Sequence, residues 1–148
     1  MLSLYGENFT TGCSTYVDNY PGDETNKIRI KVQFSTLPPC HAILDTGSPF
    51  PILLKQQADE LEIDLSQSLR DTVLYIRGHR VTGSLIRLPV MLIADEGDSL
   101  EIESTVFIPD EEITIPNFIG YDGLLQRIRF AIDPLNGVNK FYFGDNGS

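Results

Sequence analysis

Short segments in which apolar and polar residues alternate constrain this chain more than any other feature. From residue 28 to residue 34, Ile, Ile, Val and Phe occupy every second position, and Arg, Lys and Gln lie between them. A period of two places the apolar side chains on one face of an extended chain, which predicts a half-buried β-strand. Similar segments predict further strands over residues 40–44, 72–76, 84–92, 100–108, 117–120, 130–133 and 140–143.

Two short helices complete the pattern. Residues 51–61 combine helical apolar spacing with a proline near the start, and residues 123–129 predict about two helical turns. Glycine-bearing turns join the strands over 72–76 and 84–92 into a hairpin, and residues 134–137 join the last two strands. Many short strands with few helices predict an all-β fold, a small closed barrel or folded sheet.

The length of 148 residues is typical of one domain, and no repeat or linker divides the chain. Residues 1–25 are polar and rich in Thr, Asn, Gly and Asp, which predicts a loosely ordered N-terminal segment before a domain over residues 26–148. The chain has no run of 18 apolar residues, and its start lacks the basic and apolar regions of a signal peptide. We therefore expect a cytoplasmic protein that does not bind membranes.

Charge is unevenly distributed along the chain. The net charge of −10 argues against a nucleic-acid partner, because phosphates would be repelled. Residues 93–112 contain eight acidic residues and no base, which is typical of a solvated face. Residues 72–92 contain three arginines and no acid.

An aspartate follows the apolar strand over residues 40–44. Asp45 comes directly after Ala-Ile-Leu, where burial of a charged carboxylate is costly. Thr46 supplies a hydroxyl that can hold a neighbouring loop, and Gly47 leaves its N–H free to bond a carboxylate oxygen. Ser48 adds a second hydroxyl donor. An Asx turn at a strand end is the alternative interpretation of these residues.

A second element strengthens the functional interpretation. Phe118 and Ile119 are followed by Gly120 and then by a predicted helix, and the hairpin at Gly78 lies between this element and Asp45. In this order of motifs the chain resembles the retropepsin-like (retroviral-type) aspartic proteases, as a single-domain bacterial-type member. The resemblance covers roughly residues 27–144.

The resemblance implies a homodimeric endopeptidase that acts on peptide or protein substrates. Each subunit of such an enzyme supplies one Asp-Thr-Gly loop, and the two aspartates meet on the two-fold axis. The present chain contains one Asp-Thr-Gly and no later Asp-Ser-Gly, so a monomer would hold half a site. Two adjacent carboxylates share one proton and activate a water molecule for attack on the peptide carbonyl. The resemblance implies neither a metal nor another cofactor.

The same resemblance assigns the hairpin around Arg77, Gly78 and His79 as the flap that closes over substrate. His79 has a simpler interpretation, as an exposed residue on a turn. The three arginines of residues 72–92 either favour substrates with acidic side chains near the cleaved bond or pair with the acidic face over residues 93–112.

Two other functions stay open at this point. A dimeric peptide-binding module could have the same fold with weak catalysis, although the intact Asp45-Thr46-Gly47-Ser48 favours an active enzyme. An acidic adaptor domain could bind a basic partner through residues 93–112.

Overall fold

The structure is a computed structural model that describes residues 1–19, 21–22, 25–135 and 137–147. Residues 20, 23 and 24 of the predicted N-terminal segment, and Asn136 in the predicted C-terminal turn, lie outside the described residues. The elements in chain order are β1 (Ser3–Leu4), β2 (Glu7–Asn8), β3 (Gly12–Thr15), β4 (Arg29–Phe34), β5 (Cys40–Leu44), α1 (Lys55–Glu60), β6 (Arg70–Ile76), β7 (His79–Leu92), β8 (Glu96–Gly97), β9 (Leu100–Pro109), β10 (Phe118–Ile119), β11 (Ile128–Leu135) and β12 (Val138–Asp145), with 3₁₀ turns at Leu65–Gln67 and Leu125–Arg127.

These strands confirm the all-β class. A six-stranded sheet has the order β10-β5-β4-β7-β6, and β9 pairs with the long strand β7 outside that path. All of these pairings are antiparallel except that of β10 with β5. A four-stranded sheet has the order β11-β12-β3-β8, and β1 and β2 form a small hairpin. The sheets do not close into a barrel. Of the two predicted arrangements, closed barrel and folded sheet, the folded sheet is therefore correct.

The N-terminal segment contributes to the four-stranded sheet. Strand β3 pairs with β12 along one edge and with β8 along the other. Cys13, Ser14 and Tyr16 are buried. Residues 12–16 are therefore built into the fold, while the predicted domain boundary between residues 25 and 26 stays a prediction.

Apolar side chains form two buried clusters. The larger lies between the two main sheets and contains Phe34, Leu53, Phe141 and Phe143, each almost fully buried. Each such side chain contributes about 1.5–3 kcal/mol through removal of apolar surface from water. The smaller cluster consists of Ile43, Ile52, Leu74, Ile76, Leu85, Phe107 and Phe118. It joins the end of β5 to the β6–β7 hairpin and therefore supports the region around Asp45.

The first predicted helix is shorter than expected. Residues 51–53 are extended, because Ile52 forms bridges with Phe107 on one side and Phe118 on the other. Helix α1 begins only at Lys55, where the Gln57 side chain accepts a hydrogen bond from the Leu54 N–H at 3.0 Å. Pairing with two strands outweighs the local helical pattern here.

The prediction of a second helix over residues 123–129 is wrong. Gly123 has a φ of 82°, in the left-handed region, so a regular right-handed helix cannot pass through it. A Cβ at this position would lie 2.7 Å from the Thr105 carbonyl oxygen, which explains the need for glycine. The helical part is limited to the 3₁₀ turn Leu125–Arg127, and residues from Ile128 onward join β11.

In the described part of the chain, no helix has the length and apolar character needed to cross a membrane. The cytoplasmic location stays a prediction.

Candidate active site

Asp45 lies where the two predicted motifs meet. Strands β5 and β10 run parallel, with Ile43 opposite Phe118 and Leu44 opposite Ile119. The ladder continues into the turn, because the Asp45 N–H donates to the Ile119 carbonyl at 3.0 Å. The backbone of Asp45 is therefore held by the second element that the sequence indicated.

The turn after Asp45 orients the carboxylate. The Gly47 N–H donates to Asp45 Oδ1 at 2.9 Å, and the Ser48 N–H donates to the Asp45 carbonyl at 3.1 Å. This geometry is an Asx turn, so the alternative interpretation correctly describes the local structure. The turn also leaves Asp45 half-buried with its carboxylate at a cleft, which a functional carboxylate requires.

The hydrogen bond of the Ser48 side chain differs from the expected one. The Ser48 hydroxyl donates to the Phe50 carbonyl at 3.0 Å and so is not a second donor to the carboxylate. It instead stabilises the chain where it leaves the turn. Thr46 is exposed, and its hydroxyl has no hydrogen bond to any residue that the structure describes.

Gly120 allows two backbone segments to cross closely. A Cβ on Gly120 would lie 2.5–2.8 Å from the backbone atoms of Phe50, inside any normal contact distance. Directly after this crossing, the Tyr121 N–H donates to the Ser48 carbonyl at 2.9 Å, and the Asp122 N–H donates to the Pro49 carbonyl at 2.6 Å. The aspartate turn is thus fixed by backbone hydrogen bonds from residues 119–122.

Asn117 is a buried anchor that the sequence analysis did not single out. Its carbonyl accepts from the Ile43 N–H at 2.9 Å, and its side-chain amide donates to the Ile52 carbonyl and to Gln57 Oε1 at 3.1 and 2.7 Å. The Cys40 thiol lies 3.9 Å from Asn117 Oδ1, and burial raises the pKa of that thiol, which keeps it protonated. In the sequence, the signal for this role is an asparagine directly before Phe118 and Ile119, the apolar pair that precedes Gly120.

A cleft of about 270 Å³ lies between the aspartate turn and the β6–β7 hairpin. Its lining consists of Lys27, Asp45, Gly47, Ser48, Pro49, Ile52, Leu74, Tyr75, Ile76, Arg77 and Phe118. Among the described residues of this lining, Asp45 is the one carboxylate, and the walls around it are largely apolar. Lys27 was missed in the sequence, where it is the polar residue that precedes the first alternating strand.

The β6–β7 hairpin covers the cleft, and the three predicted flap residues at its tip have different surroundings. Ile76 pairs with His79, so Arg77 and Gly78 form a two-residue turn with φ of 52° and 81°, as in a type I′ turn. Arg77 lines the cleft with Asp45. Gly78 is exposed at the tip, and His79 lines a second cavity of about 170 Å³ with Ile113 and Ile115, which Arg77 also borders. His79 is exposed, as its simpler interpretation predicted.

Comparison with known proteins identifies the fold. No protein-family model matches the chain, and no curated protein matches it in sequence. A crystal structure of a retropepsin-like aspartic protease from Rickettsia conorii matches it with a TM-score of 0.58, over 88% of this chain and 98% of that chain. The two sequences are 19% identical, so the likeness shows a shared fold. The chain therefore has the retropepsin-like fold that the motifs indicated.

The crossing at Gly120 gives a test of the site's architecture. We expect Gly120→Ala to lower the free energy of unfolding by about 2 kcal/mol or more, because the new methyl group overlaps the Phe50 backbone. Urea unfolding of the parent and the variant measures the difference. Gly137→Asn is the matched control, since Gly137 has open space around it and asparagine tolerates its φ of 81°. Equal stability of the Gly120→Ala variant and the parent would contradict the close crossing.

Proposed function

We propose that this protein is a single-domain bacterial-type aspartic endopeptidase that is active as a homodimer. The observation that carries the proposal is the position of Asp45. Its backbone is fixed by Ile119, its Oδ1 is held by Gly47, and it lies at an apolar-walled cleft beneath a hairpin. The Asx turn accounts for the held carboxylate but not for its place at a covered cleft. The shared fold with an aspartic protease supports the same conclusion.

A second chain is required by the chemistry. Hydrolysis by paired carboxylates needs one group to accept a proton from water and another to donate one. The described residues that line the cleft include a single carboxylate, so one chain supplies half of this pair. Thr46 and Gly47 are exposed directly beside it, which leaves a surface where an identical turn can approach. Closed two-fold pairing would place the two Asp45 side chains on the symmetry axis.

The reaction then follows from the paired carboxylates. Two carboxylates at close range share one proton, because two adjacent negative charges repel each other strongly in a poorly solvated site. The ionised group takes a proton from a bound water, whose oxygen attacks the peptide carbonyl carbon. The protonated group gives its proton to the carbonyl oxygen. In the second step the C–N bond breaks as the amine nitrogen takes up a proton from the dyad.

The hairpin would bind and cover the substrate. Strand β6 lies at the edge of the six-stranded sheet, so its outer backbone groups are available to an extended peptide. Gly78, at the tip, has nothing within 4 Å of where a Cβ would lie, which leaves room for the tip to move. Closure of the tip would exclude water from the reacting bond.

The role of Asp45 is tested by Asp45→Asn. This change keeps the shape of the side chain and removes its charge, so we expect no measurable peptide cleavage and an unchanged circular dichroism spectrum. Asp110→Asn, an exposed carboxylate outside the cleft, should cleave at the parent rate. A library of peptides with hydrophobic residues, assayed with and without a pepstatin-type inhibitor, provides the readout. Cleavage by Asp45→Asn at a rate near that of the parent would show that another group is catalytic.

The need for two chains predicts a dependence on protein concentration. Specific activity should fall as the protein is diluted below the dissociation constant of the dimer, because each monomer retains one carboxylate. Analytical ultracentrifugation over the same concentrations gives the dimer fraction for comparison. Full activity of a sample that sediments as a monomer would contradict the dimeric site.

A further inference from the structure

We infer that Arg77 selects peptides that carry an acidic side chain close to the bond in the cleft. For cleavage this inference rests on the proposed function, but it also applies to peptide binding alone. The residue is a specificity determinant, and the ligand it would take is an extended peptide with hydrophobic residues beside a glutamate or aspartate.

Arg77 is distinguished from the other two arginines of its hairpin by position. All three arginines are exposed, but of the three only Arg77 lines the cleft with Asp45, and it also borders the cavity that His79 lines. Arg87 lies opposite Thr105 in the β7–β9 ladder, at a distance from the hairpin tip. The sequence pattern does not distinguish the three arginines, and the structure places only Arg77 of the three in the cleft lining.

The backbone of Arg77 is also unusual. Its φ of 52° is left-handed, a conformation for which type I′ turns strongly prefer asparagine, aspartate or glycine. A long cationic side chain is therefore placed at the tip at some cost in local stability. Such a cost is consistent with a function for the guanidinium group.

The competing explanation was that these arginines pair with the acidic face over residues 93–112. Among the described residues, the ion pairs of that face are made by lysines, Lys31 with Asp95 and Lys140 with Glu96. The Lys31 ammonium group and the Thr15 N–H hold the pKa of Asp95 below its usual value. Arg77 makes no ion pair with any residue that the structure describes, so its guanidinium is available to a ligand.

The cleft differs in charge from the rest of the protein. Lys27 and Arg77 contribute two positive charges to its lining and Asp45 contributes one carboxylate, although the whole chain carries −10. The net negative charge repels an acidic peptide from the protein as a whole, and these two cations favour it locally at the cleft. The Lys27 ammonium also donates to Thr25 Oγ1 at 2.9 Å, so Arg77 is the cation on which the inference rests.

The apolar walls of the cleft determine which side chains of a bound peptide fit beside the acidic one. Ile52, Leu74, Ile76 and Phe118 line the same cleft, so hydrophobic side chains fit next to the bond itself. A guanidinium group binds a carboxylate through two parallel hydrogen bonds, which a neutral amide of the same shape cannot match. We expect a preference of about 3- to 10-fold for glutamate over glutamine at one flanking position.

The test uses peptide pairs that differ only by Glu or Gln at each position flanking the cleaved bond. The main variant is Arg77→Asn, because asparagine before Gly78 favours the type I′ turn and removes the charge without straining the hairpin. Arg77→Lys keeps a positive charge at the tip. Arg87→Gln removes the same charge outside the cleft and serves as the matched control.

The ratio of kcat/KM for the two peptides of each pair is measured with every protein. We expect the parent, Arg87→Gln and Arg77→Lys to prefer glutamate, and Arg77→Asn to give a ratio near one. An unchanged ratio in Arg77→Asn, or no preference in the parent, would overturn the inference.

Binding of the same peptides to Asp45→Asn, alone and combined with Arg77→Asn, separates this inference from the proposed function. A preference for glutamate that disappears in the double variant supports the role of Arg77 even if the parent cleaves no peptide. Cleavage by the parent with no such preference supports the proposed function and contradicts this inference.

Discussion

The parallel pairing of β5 with β10 is the interaction on which the rest of the site depends. It places the Asp45 N–H against the Ile119 carbonyl and brings residues 48–50 across Gly120. Parallel strands cannot be joined by a tight turn, so the long intervening chain forms the hairpin and β9 before it returns. The hairpin that covers the cleft and the turn that holds the carboxylate therefore both depend on the parallel pairing of β5 with β10.

Burial of polar groups makes this arrangement rigid. Asn117, directly before β10, is joined by three hydrogen bonds to β5, to the extended residues before α1 and to Gln57 in α1, and it is 8% exposed. Loss of any one partner would leave a buried polar group unsatisfied, which costs about 1–3 kcal/mol. Asp45 itself is half-buried, and in the proposed dimer a second chain would approach its exposed side.

Local patterns in the sequence were sufficient to predict eight of the strands, whereas β1, β2, β3 and β8 were not predicted. The link between Asp45 and Phe118-Ile119-Gly120 came from the order of motifs in a known family. Period-two alternation and the glycine-bearing turn express local geometry, which depends little on distant residues. The helix predicted over residues 123–129 failed because the contact of Gly123 with Thr105 is non-local. The hydroxyl of Ser48 and the cleft position of Lys27 depend on tertiary structure in the same way, so no pattern near either residue could have shown them.

The central claim is that two chains each contribute Asp45 to one active site. Mixing the parent with Asp45→Asn at constant total protein, after exchange of subunits, tests it most directly. If both carboxylates are required, activity follows the square of the parent fraction, and an equal mixture retains about one quarter of the parent activity. A linear decline, with about half of the activity in the equal mixture, or a shallower decline with about three quarters, would show that one Asp45 is sufficient and would contradict the shared site.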